Sequence, residues 1–288
     1  MNNAAPAGRK PRPTHVFEVD RTERVSPHMV RVRFRGEGVE RFIDAIPAER
    51  IGITDLYVKL LFARPELGLA LPYDMEALRE ELAPHDMPSR RTYTIREIDR
   101  LEQAVAIDFV VHGDEGIAGP WAAAAGPGDR VCLMGPGGNY APSPDVDEHL
   151  FFGDDSALPA IAASIEAADP DARGLAVIEV GSAADEIVID APLGIEVRWV
   201  HRDGSAHGDA LVAAVEALDA PANAVDVFAH GEREAMKRLR PLIHKEWGIE
   251  RSRLSLSGYW AYGRAEDTFQ AEKNAPIGQI FEPEAPAA

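Results

Sequence analysis

The chain has 288 residues, with 48 acidic against 30 basic side chains and a formal net charge of −18. That length suits two domains, and so acidic a surface repels phosphate backbones and anionic bilayers, so neither nucleic acid nor membrane insertion is expected. A single cysteine, Cys132, excludes a disulfide framework or a cysteine metal cluster within one chain and reads as a small buried strand residue.

Residues 1–13, MNNAAPAGRKPRP, lack the apolar middle of a signal peptide. They read as a disordered lead, no run is apolar enough to span a bilayer, and the expected location is cytoplasmic. From 14 to 144 the pattern is short strands: His15 to Val19, Met29 to Phe34, Leu56 to Phe62, Thr92 to Ile98, Val105 to Val111 and Arg130 to Met134. Alternating or β-branched apolar residues between Gly, Pro and Asp turns predict a six-stranded antiparallel barrel. The stretch Arg64 to Pro88 reads as an insertion with a short helix over Met75 to Leu82, and Ala122 to Ala125 as a helical turn started by Trp121.

Tyr140 to Asp147, YAPSPDVD, reads as a linker, after which the rhythm changes. Over 145–257, strands are expected at His149 to Gly153, Leu175 to Val180, Ile195 to Val200, Val225 to Ala229 and Leu254 to Ser257. Helices are expected at Ser156 to Ala168, His207 to Leu218 and Glu232 to Trp247. This alternation predicts an open parallel sheet, which binds ligands at the carboxyl ends of its strands. The last part, 258–288, reads as an aromatic turn, a helix from Arg264 to Lys273 and a tail. A barrel followed by a nucleotide-type sheet is the layout of two-cofactor flavin reductases.

Two segments carry the chemistry. Arg91-Thr92-Tyr93-Thr94 offers a fork for a pyrophosphate, a flat ring and a hydroxyl. Strand alternation puts Arg91 and Tyr93 on one face and Thr92 and Thr94 on the other. An ordinary barrel strand with an exposed Arg and a core Tyr explains the tetrapeptide about as well. The second segment runs from His112 to Trp121, HGDEGIAGPW. Its bare backbone at Gly116, Ala118 and Gly119 suits a diphosphate, against the plainer reading of a strand–turn connection with a structural Trp. His112 reads as a hydrogen-bonding residue rather than a base. No metal site is expected: His201, His207 and His230 are scattered over separate loops, and there is no HExxH, P-loop or GxSxG. The first strand–helix turn of the sheet, GDDSALP, also lacks a G-x-G-x-x-G fingerprint.

RTYTIR, DFVVHG, GIAGPWA, PGDRV and GPGG, with TDLYVKLLF, GDDSALPAI and SGYWAYGRAED, resemble the siderophore-interacting proteins over about Val16 to Lys273. The resemblance implies a ferredoxin-reductase-like FAD barrel followed by a Rossmann-like NAD(P)H domain. It implies that NADH or NADPH reduces FAD, which reduces the Fe(III) of a bound ferric siderophore. Carried over residue by residue, Arg91 meets the FAD phosphates, with Thr92 beside it. Tyr93 stacks on the isoalloxazine and Thr94 lies near N5, with no catalytic side chain beyond the flavin. His112 and the backbone of Ala118, Gly119, Pro120 and Trp121 hold the ribityl-diphosphate. Asp154, Ser156 and Ala157 approach the flavin at the domain junction. Tyr259 and Trp260 flank the flavin or adenine, or else close the sheet edge. Lys59 matches a substrate-holding position, though a solvated strand lysine is an equal reading. Gly137 and the residues before Tyr259 stand where some members carry further cations, leaving Arg264 or Lys273 to replace them. Alternative readings are exchange of electrons with a ferredoxin- or flavodoxin-type protein, with a ferredoxin as donor, and a non-enzymatic siderophore-binding module.

Overall fold

The computed structural model describes residues 13–273 and 275–281, so most of the expected lead and tail lies outside the described residues. The first six strands are β1 (Thr14–Ser26), β2 (Met29–Arg35), β3 (Tyr57–Phe62), β4 (Ser89–Asp99), β5 (Ala104–Val110) and β6 (Arg130–Gly137). They close into a barrel in the order β1-β2-β5-β4-β3-β6 with antiparallel neighbours. β2 shows why: Val30, Val32 and Phe34 point into the core. The alternate Arg31, Arg33 and Arg35 pair outside with Asp108, Asp99 and Glu102 at 2.7, 2.8 and 2.6 Å. Phe17, Val58, Leu60, Ile107 and Phe109 fill the rest of the interior.

Three helices decorate the barrel: α1 (Glu37–Asp44), α2 (Met75–Glu81) and α3 (Ala118–Ala124). α1 was not anticipated from sequence; its eight residues seat Val39, Phe42 and Ile43 against the core. α3 begins three residues before Trp121, so Trp121 sits inside the helix rather than starting it.

The second sheet contains β7 (Glu148–Asp154), β8 (Arg173–Val180), β9 (Gly194–His201), β10 (Val225–Glu232) and β11 (Leu254–Trp260), all parallel in the order β11-β10-β7-β8-β9. β11 thus continues three residues past the boundary expected at 257. α4 (Leu158–Glu166), α5 (Asp209–Glu216) and α6 (Arg233–Arg240) cover the sheet. The single helix expected from Glu232 to Trp247 is α-helical only to Arg240. It continues as a π-helical segment from Pro241, whose missing N–H cannot carry the α ladder onward. α7 (Glu266–Glu272) follows β11.

The two units are tied together. Arg96 of β4 grips Glu166 of α4 through two bonds of 2.7 and 2.6 Å. Thr54 and Ser164 hydroxyls meet at 2.7 Å, and Tyr140 packs on Phe228 at 4.7 Å. β7 is the switch point of the sheet: its chain continues to β8 on one side, while β10 flanks it on the other. The crevice such a switch creates at the strand ends is where open α/β sheets hold ligands.

Candidate flavin site

The barrel is open along half of β4. Residues 89–94 pair with β3, whereas the pairing with β5 begins at Ile95. The free edge of Arg91 to Thr94 therefore faces a cavity of about 450 Å³ between the barrel, the carboxyl ends of the sheet and α7. Its walls include Tyr57, Lys59, Thr92, Tyr93, Thr94 and Ser156, with Tyr259, Trp260 and the inner face of α7 opposite.

Arg91 is neither solvated nor loose. Its side chain is 14% exposed and donates to Asp267 of α7 at 3.2 Å and to the Arg90 carbonyl at 2.7 Å. The Thr92 N–H, on the free edge, donates to Glu266 at 2.9 Å. Burial raises the Glu266 carboxyl above its usual range, with Thr92 and Arg91 pulling the other way. Tyr93 packs on Phe109 at 4.5 Å while still lining the cavity. Burial pushes its phenol up, so it stays neutral. Both Thr92 and Thr94 line the cavity together with Tyr93, so the objection from strand alternation does not hold at this open, bulged edge. Buried Tyr259 stands over Thr94; burial drives its phenol up, with the Thr94 hydroxyl working against the shift.

Outside the residues that line this cavity, α3 starts with no side-chain cap, leaving its first backbone donors to a ligand or water. Gly119 brings α3 close to β5: an added Cβ would lie 3.1 Å from the Val110 carbonyl oxygen. His112 lies near His28, its ring centroid 6.3 Å away, and within the influence of Arg202 and His207. Burial lowers its pKa first, and His28, Arg202 and His207 lower it further. A bare helix start beside imidazole donors suits a diphosphate.

Several expected contacts turn out differently. The Trp121 ring packs among Phe34, Phe62 and Phe109 at 6.5, 5.7 and 5.8 Å, as the plainer reading of a structural Trp has it. Ala157 is fully enclosed and packs toward Gly153, because it caps α4 from within the sheet–helix joint. Asp154 does not line the cavity. It accepts from the Ser156 N–H (3.0 Å) and hydroxyl (2.6 Å), from the Glu232 N–H (2.7 Å) and from Trp260 Nε1 (2.8 Å). It thus locks the ends of β7, β10 and β11 and aims Trp260 into the cavity. Arg264 lines the cavity, but its guanidinium is held by Glu272 at 3.0 Å. Arg253 lies in a neighbouring cavity of about 720 Å³, bound to Ser143 at 3.0 Å. Arg202 is held by Asp155 at 2.6 Å and Glu179 at 3.4 Å.

Other wall residues carried no local signal. Asp55 is spent on the backbone N–H groups of Asn139 and Tyr140, both at 2.8 Å. Asp108 answers Arg31. His230 is fully enclosed, stacks on Phe228 at 4.0 Å and touches Ser255 at 2.9 Å; burial lowers its pKa to about 3, so it stays neutral. Phe269 and Gln270 come from α7. The helical spacing of Glu266, Phe269, Gln270 and Lys273 was the one available clue that α7 has a cavity-facing side.

Residues 18–140 match the family described as the siderophore-interacting FAD-binding domain, and residues 146–263 match the siderophore-interacting protein family. The chain belongs to the siderophore-interacting protein family. Its barrel matches an FAD-binding domain, and its fold is of ferredoxin-reductase type. Among its relatives, a Mycobacterium tuberculosis protein is 43% identical over 276 residues, covering 91% of this chain and 95% of that one. Ferric vibriobactin reductase ViuB of Vibrio cholerae is 30% identical over 263 residues, covering 91% and 94%. The NADPH-dependent ferric-chelate reductase of Escherichia coli is 27% identical over 247 residues, covering 83% and 90%. A siderophore utilization protein from T. fusca superposes with a TM-score of 0.75 at 37% identity, over 88% and 94% of the two chains. The ferredoxin reductase of carbazole 1,9a-dioxygenase shares the fold at 16% identity, with a TM-score of 0.60. Among the described residues of this siderophore-interacting protein, no cluster of His, Cys, Asp or Glu could hold a metal, and no helix is long and apolar enough to cross a membrane.

Proposed function

We propose that this protein is a ferric-chelate reductase: NAD(P)H reduces bound FAD, and the reduced cofactor delivers electrons to Fe(III) in a siderophore, releasing Fe(II) on the cytoplasmic side. The observation that carries this reading is the open β4 edge. Thr92, Tyr93 and Thr94 form one wall of a cavity whose other wall is Ser156, just beyond the switch-point strand β7, with Tyr259 and Trp260 of β11. A flat cofactor seated there lies between the barrel and the sheet, so a nucleotide arriving over the strand ends and a chelate arriving over Lys59 both reach it.

The residues fit FAD. Arg91, the uncapped start of α3 and His112 would hold the diphosphate. Thr92, Tyr93 and Thr94 would seat the ring, and Ser156 would meet it from the sheet side. Trp260, steadied by Asp154, and Tyr259 would exclude water. Bound FAD supplies the exchange between a two-electron donor and a one-electron acceptor. The protein's part is orientation and a dry, neutral environment. Desolvation keeps Tyr93, Tyr259 and His230 in their uncharged forms, and in the same wall it raises the Glu266 carboxyl and lowers the Lys273 ammonium.

The donor follows from the relatives' chemistry rather than from a fingerprint, and the choice between NADH and NADPH stays part of the test. The FAD-loaded protein is mixed anaerobically with NADH or NADPH, then with a ferric siderophore and an Fe(II) trap. Bleaching of the flavin followed by Fe(II) formation is expected. No bleaching with either nucleotide removes the direct-donor step and favours a ferredoxin-type donor. Bleaching without Fe(II) removes the chelate-reductase reading. Protein that takes up no FAD points to the non-enzymatic alternative.

A further inference from the structure

We infer that the chelate accepted here carries little or no net negative charge, and that Tyr57, lying over Gly137, sets that preference while Lys273, at the end of α7, limits it. The inference rests on the ferric-chelate reading above and names its substrate class.

The first observation is the charge of the cavity wall. Lys59, Arg264 and Lys273 line it, and so do Asp55, Asp108 and Glu266, so three cations face three carboxylates. Arg264 is also claimed by Glu272 and Asp108 by Arg31, which leaves Lys59 and Lys273 against Asp55 and Glu266. Lys273 is exposed at the C-terminal end of α7; desolvation lowers its pKa first, and Lys59 lowers it further while Glu266 opposes. The two lysines are therefore near enough to feel each other, with Glu266 beside them. Such a wall offers almost no surplus positive charge. A trianion entering it loses hydration that the wall does not repay, and a chain of net charge −18 repels it on approach.

The second observation is geometric. Tyr57 and Lys59 lie two residues apart on β3, on one face of the strand, and Tyr57 is the register partner of Gly137 on β6. The Tyr57 ring covers Gly137 so closely that an added Cβ would fall 2.5 Å from the phenol oxygen and nearer still to the ring carbon bearing it. The space beside Lys59 is thus filled by a phenol, and a long cation from position 137 is sterically excluded while that phenol stays. With Tyr259, Trp260 and Phe269, Tyr57 makes the wall aromatic. Aromatic faces and one O–H suit a chelate whose outer surface is alkyl and carbonyl. Three hydroxamates neutralise Fe(III), whereas three catecholates leave three negative charges, so the fitting class is the trihydroxamate type.

The test uses Ga(III), which has the charge of Fe(III) but accepts no electron under these conditions, so binding is separated from redox potential. The full-length FAD-loaded protein is titrated with a gallium trihydroxamate and a gallium tricatecholate, followed by flavin fluorescence. At least tenfold tighter binding of the trihydroxamate is expected in the parent. In Y57A/G137R the gap should narrow or reverse. In Lys273→Ala the tricatecholate should weaken more than the trihydroxamate. Retention of FAD checks the folding of each variant, and the comparison on the parent stands even where a variant fails to fold. Equal or tighter binding of the tricatecholate by the parent overturns this inference while leaving the reductase reading intact if its ferric form yields Fe(II). Binding of neither complex, with no Fe(II) from either ferric form, overturns both.

Discussion

Asp154, Asp155 and Arg91 show how differently three charged residues at one domain junction are used. Asp154 is 2% exposed and answers four donors, so Asp154→Ala leaves the Glu232 N–H and the Trp260 indole without acceptors. A loss of about 2–4 kcal/mol is expected in chemical denaturation, together with a change in Trp fluorescence. Asp155 is raised to about 6, by burial first, against the pull of Arg202. An unfolded Asp titrates near 4, so as pH rises between about 4 and 6 the unfolded chain releases this proton first and the folded state loses ground. The cost is on the order of 2–3 kcal/mol. Plotted as parent minus Asp155→Asn, stability should decline over that window; a flat difference would show that Asp155 does not titrate there. Arg91→Ala should weaken FAD binding by about 1.5–3 kcal/mol, read by titration of flavin fluorescence, since a charge-assisted contact to the diphosphate is lost. Unchanged affinity would mean that Arg91 serves only to hold Asp267.

At the scale of elements, two close approaches decide where helices sit. α1 is short and polar on one side, and its placement depends on Gly38, where an added Cβ would run into the backbone carbonyl of Val16 on β1. Gly38→Ala is expected to destabilise the barrel by about 2–4 kcal/mol, visible as a lower denaturation midpoint with an unchanged slope. α7 is held from both sides. Glu272 receives Arg233 of α6 at 2.5 Å, while Glu266 and Asp267 reach Thr92 and Arg91 of β4. It bridges the two units directly over the cavity, so the wall opposite β4 is completed by this helix beside Tyr259 and Trp260 of β11.

For the whole molecule, the cofactor slot is a joint between two cores. The barrel packs around Phe17, Phe34 and Phe109, and the sheet around Phe151, Phe152 and Phe228. A ligand that contacts both should stabilise both. With free FAD at about 100 times its Kd, linkage predicts roughly 2.7 kcal/mol of added stability. That is a rise of several degrees in Tm, which a calorimetric scan with and without FAD will show as one shifted transition. Two transitions, with only the barrel's shifting, would mean that the sheet makes no contact with the cofactor.

Local sequence determined the elements and their kind. Alternation in β2 and the continuous apolar run of β7 follow from which faces are buried, and both are written residue by residue. The motifs RTYT and GIAGPW were legible because cofactor backbones need particular residues close together in the chain. What the chain could not reveal locally is what arrives from far away. Trp121 was drawn into the aromatic cluster of the barrel, Asp154 was turned inward by donors from β10 and β11, and Arg264 was taken by Glu272. The cavity wall joins Tyr57, Thr94, Ser156, Tyr259 and Phe269, residues as much as 212 positions apart that strand pairing, interdomain packing and α7 bring together. Gly137 makes the same point. By sequence it is a missing cation; in three dimensions it is the floor on which the Tyr57 ring rests, because only a residue without a Cβ leaves that space.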